Sequence, residues 1–132
     1  MGYTIELEDD DLRCPTKADA ERSLEIIQAH EEMHPYHLQV SVVPRSFPVT
    51  DTSWGLQIEH FQGDHWRNDA AEKLWLALVP HLSDGSTLEF RGEDSNRWRI
   101  RWLEGRVFEE YVHEVSWDLE HEILSPQKEN AS

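Results

Sequence analysis

The last third of the chain constrains the fold most, because it reads as strands joined by turns. "STLEF" (residues 86–90), "RWRIRWL" (97–103) and "RVFEEYVHEVSW" (106–117) are separated only by "GEDSN" and by Glu104-Gly105. A two-residue connection ending in glycine is a strong hairpin signal. It sets Leu103 opposite Arg106, and so Trp98 opposite Tyr111 and Arg99 opposite Glu110. The loop after Arg91 in turn sets Phe90 opposite Trp98, Leu88 opposite Ile100 and Glu89 opposite Arg99. Leu88, Phe90, Trp98, Ile100, Trp102 and Tyr111 then share one face, and Glu89, Arg99 and Glu110 share the other. Two independent turns demand the same alternation, which fixes the register. Glu109 dissents, falling on the apolar face opposite Ile100, and a bulge near residues 108–109 is expected to relieve it.

The earlier chain supplies what covers that apolar face. "PTKADAERSLEIIQAHEEMHP" predicts a helix over residues 16–34, with Thr16 as N-cap answered by Asp19. Ala20, Leu24 and Ile27 sit at helical spacing, and Pro35 stops the helix. A second helix is expected over residues 63–80, capped by Asp64 or Asn68 and closed by Pro80. Ala71, Leu74, Ala77 and Leu78 form its apolar stripe. Strands are expected at residues 3–7, 38–43 and 54–61, with a Pro44–Pro48 loop between the last two. The acidic run Glu8, Asp9, Asp10 and Asp11 reads as a solvated turn that ends the first strand, or as a cluster facing a basic partner or a cation. A short helical turn is expected before Ser125, then a polar tail over 125–132. The expected architecture is one α+β domain over residues 1–124. It runs β-α-β-β-α-β-β-β, a mainly antiparallel sheet carrying both helices on one face.

Charge narrows the function classes. The chain has 132 residues, 27 acids against 12 bases, and a formal charge of −15. Direct binding to nucleic acid or to an anionic membrane is disfavoured, since both attract bases. A basic protein partner is favoured. Cys14 is the one cysteine, so no intrachain disulfide forms, which fits a cytoplasmic setting. The N-terminus lacks a signal-peptide pattern, and no apolar run reaches membrane-spanning length.

His30-Glu31-Glu32-Met33-His34 matches the H-E-x-x-H pattern of zinc peptidases. Residues four apart on a helix share a face, so His30 and His34 are candidate zinc ligands and Glu31 a candidate general base. Glu72 or His37 is the candidate third ligand. Against this, only one strand precedes the helix, Pro35 follows at once, and Val40 stands where the longer peptidase motif has a third His. The competing reading is a polar helix end, with no metal or other cofactor and no catalytic residue. Glu31 and Glu32 then join Glu8, Asp9, Asp10 and Asp11 as candidate partner-binding acids. Arg97, Arg99 and Arg101 alternate with Trp98 and Trp102 but lie on the opposite face, which reads as cross-strand ion pairs rather than a base-stacking surface. Tyr36, Trp54, Phe61 and Trp66, near His34, His37, His60 and His65, read as aromatics that seal a small core or line a pocket.

Gly92, Glu93, Trp98, Arg99, Gly105 and Trp117 carry a resemblance. The stretch from Gly85 to Asp118, with a further match at the opening Met-Gly-Tyr-Thr, resembles the ending of small uncharacterised proteins of bacteria and their phages. The resemblance covers about a quarter of the chain and implies a bacterial or phage-infected cytoplasm. It implies no activity. Together these readings lead to a non-enzymatic acidic protein that binds a basic partner, in one form an inhibitor imitating nucleic-acid charge. The alternative is a metal-dependent hydrolase built on His30, Glu31 and His34.

Overall fold

The computed structural model describes residues 4–33, 37–64, 69–92, 96–113 and 116–124. Seven strands form one antiparallel sheet in the order β2-β3-β1-β4-β5-β6-β7. In chain order these are β1 Thr4–Arg13, β2 His37–Pro44, β3 Trp54–Asp64, β4 Thr87–Gly92, β5 Arg97–Leu103, β6 Arg106–His113 and β7 Ser116–Ile123. Helix α1 (Lys17–Met33) crosses from β1 to β2, and α2 (Asp69–Ala77) crosses from β3 to β4, followed by a 3₁₀ turn at Val79–His81.

The C-terminal meander has the register its turns dictate. Phe90 faces Trp98, Leu88 faces Ile100, Trp98 faces Tyr111 and Arg99 faces Glu110. Glu104 and Gly105 both have positive φ, 54° and 73°, the backbone of a primed hairpin turn. The ladder stays regular through Glu109, which is buried and accepts a 2.6 Å hydrogen bond from the Tyr111 hydroxyl. The expected bulge near residues 108–109 is therefore not on this ladder. A hydrogen-bonded carboxyl is tolerated there without a break in pairing.

The bounds of three elements differ from those expected. The run of residues 8–11 does not end β1, which continues to Arg13. Pairing slips between Leu7 and Asp9, leaving Glu8 as an extra residue. The bulge shifts the alternation by one, so Leu7 and Asp10 share the core face with Phe90 and Leu88. Residues 106–117 are not one strand: β6 ends at His113, and Ser116 opens β7, which pairs back on β6 and takes up the segment expected to hold a helical turn. Gly63 and Asp64 belong to β3, not to the second helix, so Asp64 does not cap it. Asn68 and the 125–132 tail lie outside the described residues. Pairing also slips at Glu59 in β3 and Glu120 in β7. Among the described residues, each of these three bulges takes a glutamate as its extra residue, a type that fits poorly in a regular ladder.

Both helices cover the same face. In α1, Ala20, Ser23 and Ile27 are buried, and the Thr16 hydroxyl accepts the Asp19 amide at 3.1 Å as the cap. In α2 the stripe is Ala71, Leu74, Trp75 and Leu78, while Ala77 points to solvent. Trp75 takes the place expected of Ala77, because residues i, i+3, i+4 and i+7 form one face. Its ring packs edge-on to Trp102 at 5.9 Å, and its carbonyl accepts the Trp102 indole N–H at 3.0 Å. This anchors α2 over the meander. Leu12, Leu56 and Ile58 continue the core under α1.

Gly55 marks a close approach. A Cβ there would stand 2.0 Å from the Leu12 carbonyl oxygen and 2.8 Å from Arg45 Cγ. Only glycine fits where β3 enters the sheet beside β1.

Candidate functional site

The acidic run in β1 is split by the strand into separate roles. Glu8 pairs with Arg91 at 2.8 Å, Asp11 pairs with Arg13 at 2.9 Å, and Asp9 is exposed with no ion pair among the described residues. Asp10 turns inward. Its carboxylate accepts Arg45 Nη2 at 2.7 Å and the Ile58 amide at 3.0 Å, and Arg45 Nη2 also donates to the Leu56 carbonyl. These contacts fill a seam. β1 pairs with β3 at Thr4↔Asp64 and Ile5↔Gly63, and again at Leu12↔Leu56 and Arg13↔Gly55. Between those stretches the Asp10 side chain satisfies a β3 amide that the ladder leaves open. A half-buried charge pair is favourable only with such additional hydrogen bonds. Asp10 is thus a structural charge and not part of a surface cluster. The sequence carried no sign of this, because the Glu8 bulge that reverses the alternation has no distinct signature.

Arginines elsewhere are committed in the same manner. On the outer face of the meander, Arg99 meets Glu110 at 2.8 Å, Arg101 meets Glu110 at 3.3 Å, Arg97 meets Glu89 at 3.7 Å and Arg106 meets Glu122 at 3.2 Å. Arg99 also lies 4.3 Å from the Trp117 ring centre, a cation–π contact. Trp98 and Trp102 are buried on the other side, so the ladder is an ion-pair lattice over a Trp-rich core, as its spacing predicts. Arg22 pairs with Glu25 at 3.4 Å, so all eight described arginines are paired with carboxylates. By contrast, Asp9, Glu21, Asp51, Asp84 and Glu104 are exposed and in no ion pair among the described residues. Lys17 lies 4.7 Å from the Trp54 ring centre, and Lys73 is exposed.

The candidate metal residues are only partly placed. His30 is half-buried in the penultimate turn of α1, and Glu72 is half-buried in α2, which packs against α1. Glu31 and Glu32 lie in the last turn of α1 and His37 opens β2, but their side chains fall outside the described set, and His34 lies outside it altogether. Among the described residues, no group of three or more His, Cys, Asp or Glu is placed to hold a metal ion. Of the aromatic group around these histidines, Trp54 is half-buried under Lys17. The side chains of Phe61 and His60, and all of Tyr36, His65 and Trp66, lie outside the described residues.

The surroundings of Asp19 and Cys14 shift their titration. Asp19 is held below the usual carboxylate value by the hydrogen bond from His81 Nδ1 at 2.9 Å, with help from the Thr16 hydroxyl. That contact ties the start of α1 to the 3₁₀ turn. The Cys14 thiol is pushed up to about 11, chiefly by burial, so it is a packed core group and not a nucleophile. Leu76, Val79, Pro80, Ile123 and Leu124 line a cleft of about 320 Å³ with the Arg106–Glu122 pair on its wall. It brings together no acid–base pair suited to proton transfer.

Fold and surface together define a single α+β domain with an open antiparallel sheet and a surface whose unpaired charges are mostly acidic. Comparison with family models, with curated proteins and with solved structures finds no match to this chain. Among the described residues, no helix is long and apolar enough to cross a membrane.

Proposed function

We propose that this is a non-enzymatic interaction protein whose acidic surface binds a basic protein. One observation carries the reading. The described arginines are all neutralised within the fold, whereas exposed acids on β1, on α1 and in three loops are left unpaired. A chain of charge −15 built this way presents its excess charge outward. Such a field speeds encounter with a basic partner and is felt over about a Debye length. The concrete form proposed is an inhibitor that imitates nucleic-acid charge, acting in the cytoplasm of a bacterial or phage-infected cell. The resemblance of the C-terminal hairpins to bacterial and phage proteins supports that setting.

Immobilised protein offered a bacterial lysate at about 50 mM NaCl tests the reading. It is expected to retain a basic protein that duplex DNA displaces. Charge reversal at Asp9, Glu21, Asp51 and Glu104, all exposed, is expected to abolish retention without unfolding the domain. Retention indifferent both to DNA and to charge reversal would refute the proposal.

A further inference from the structure

The two edges of the sheet are built differently. β7 is guarded: it carries Asp118, Glu120 and Glu122, and Glu120 is bulged out of the ladder. Charges and bulges are the usual means by which an edge strand resists pairing with another chain. β2, the other edge, has β3 on one side only and no charged residue from position 38 to 43. The slip against it falls on β3 at Glu59, so β2 itself runs regularly.

The neutrality extends beyond the strand. Residues 33–50 contain no Asp or Glu, the longest acid-free run in a chain with 27 acids. The loop that follows β2 displays the most exposed large apolar side chains among the described residues, Phe47 at 81% and Val49 at 48%. That loop is braced from within. The Ser53 hydroxyl donates to the Pro48 carbonyl at 3.1 Å and accepts the Thr50 amide at 2.8 Å, and the Arg45 amide bonds the Ser53 carbonyl. The one arginine of the run, Arg45, is turned inward onto Asp10. An open edge, an apolar tip and an uncharged border therefore coincide along one side of the molecule.

We propose that this margin pairs with the same margin of a second copy, joining two sheets of seven strands into one. Charge selects the occupant. Two molecules of charge −15 repel wherever acids face each other, and this border is where two copies meet without opposing carboxylates. A basic partner would instead be drawn to the acidic surfaces. Antiparallel pairing about a two-fold axis through Ser41 places Val40 opposite Val42 of the second copy. It keeps the helices of both copies on one side and is isologous, so it closes at the dimer. Pro44, which lacks an amide hydrogen, limits the pairing to about residues 39–43.

Sedimentation velocity on the full chain tests this. A dimer is expected that tightens about tenfold between 0.05 and 0.5 M NaCl, because salt screens the repulsion. Ser41→Glu, which sets two carboxylates against each other on the axis, is expected to give a monomer that melts like the dilute, dissociated wild type. Hydrogen exchange gives a second readout independent of any variant: those amides of residues 39–43 that point away from β3 should be protected at high concentration and lose protection on dilution. A wild-type monomer at about 0.5 mM in high salt would overturn the proposal. So would a dimer that survives Ser41→Glu, or protection of those outward amides that does not change with dilution. Loss of protection on dilution also separates self-pairing from partner binding, since no partner is present.

Discussion

The half-sheet formed by β4, β5, β6 and β7 and the half-sheet formed by β2, β3 and β1 solve the same problem in different ways. In the first, neighbours in sequence are neighbours in space, and a two-residue turn fixes the register of β5 on β6. Apart from Glu109, its described charged side chains lie on the outer face, laced across strands, and its core is sealed by Trp75, Trp98 and Trp102. In the second, each strand reaches its neighbour through a long connection or a crossover helix. Bulges at Glu8 and Glu59 stand on either side of the β1–β3 seam, and a buried-side carboxylate and an arginine complete the pairing. The first half depends on local pattern; the second depends on a few specific contacts. Substitutions in the seam should therefore cost more than substitutions of equal size in the meander.

The largest effect is expected at Gly55. Gly55→Ala forces a Cβ against the Leu12 carbonyl, and a loss of about 3 kcal/mol is expected in urea unfolding. Next is Asp10→Ala, which strips Arg45 of its counter-charge and the Ile58 amide of its acceptor, at about 2 kcal/mol. Asp10→Asn, which still accepts that amide, should recover part of the loss. In the meander, Gly105→Ala is expected to cost only about 1 kcal/mol, since the turn needs φ > 0 but the space is open. If Gly105→Ala proved more damaging than Asp10→Ala, the contrast between the halves would fail.

The smallest effect concerns pH. The folded Asp19 carboxyl titrates below its ordinary value of 3.8 because His81 bonds it. Its contribution is thus fully present above that ordinary value and is lost as pH falls through the lowered one. His81→Ala should flatten the acid limb of the stability curve by a few tenths of a kcal/mol. A curve unchanged by that substitution would show that the link between α1 and the 3₁₀ turn carries no energy.

The same contrast explains what was legible in the sequence. The meander could be read residue by residue because period and turn chemistry agree there. Its one dissenting residue, Glu109, is buried on the apolar face with the Tyr111 hydroxyl bonded to it, and the slip beside it lies on the β6–β7 ladder, with Glu120 as the extra residue. Four acids in succession resemble a turn, so the sequence alone ends the first strand at Leu7, whereas β1 runs to Arg13. Whether such a run is a turn or a bulged strand is decided by Arg45 and Ile58, which lie 35 and 48 residues further on. The candidate partner-binding acids were spaced too closely for one face: alternation sends Asp10 inward and leaves Asp9 outward. Arg45 gave no sequence signal at all, since its role depends on a seam that exists only once the sheet has formed.

The eight described arginines are paired with carboxylates, and the proposal is that the remaining exposed acids meet a basic partner. The most direct test is the dissociation constant of the retained basic protein, measured by titration calorimetry from about 50 to 300 mM NaCl. At least about tenfold weakening is expected across that range, with a markedly shallower dependence after reversal of Asp9, Glu21, Asp51 and Glu104. Affinity that stays constant across the salt range, in wild type and variant alike, would contradict it.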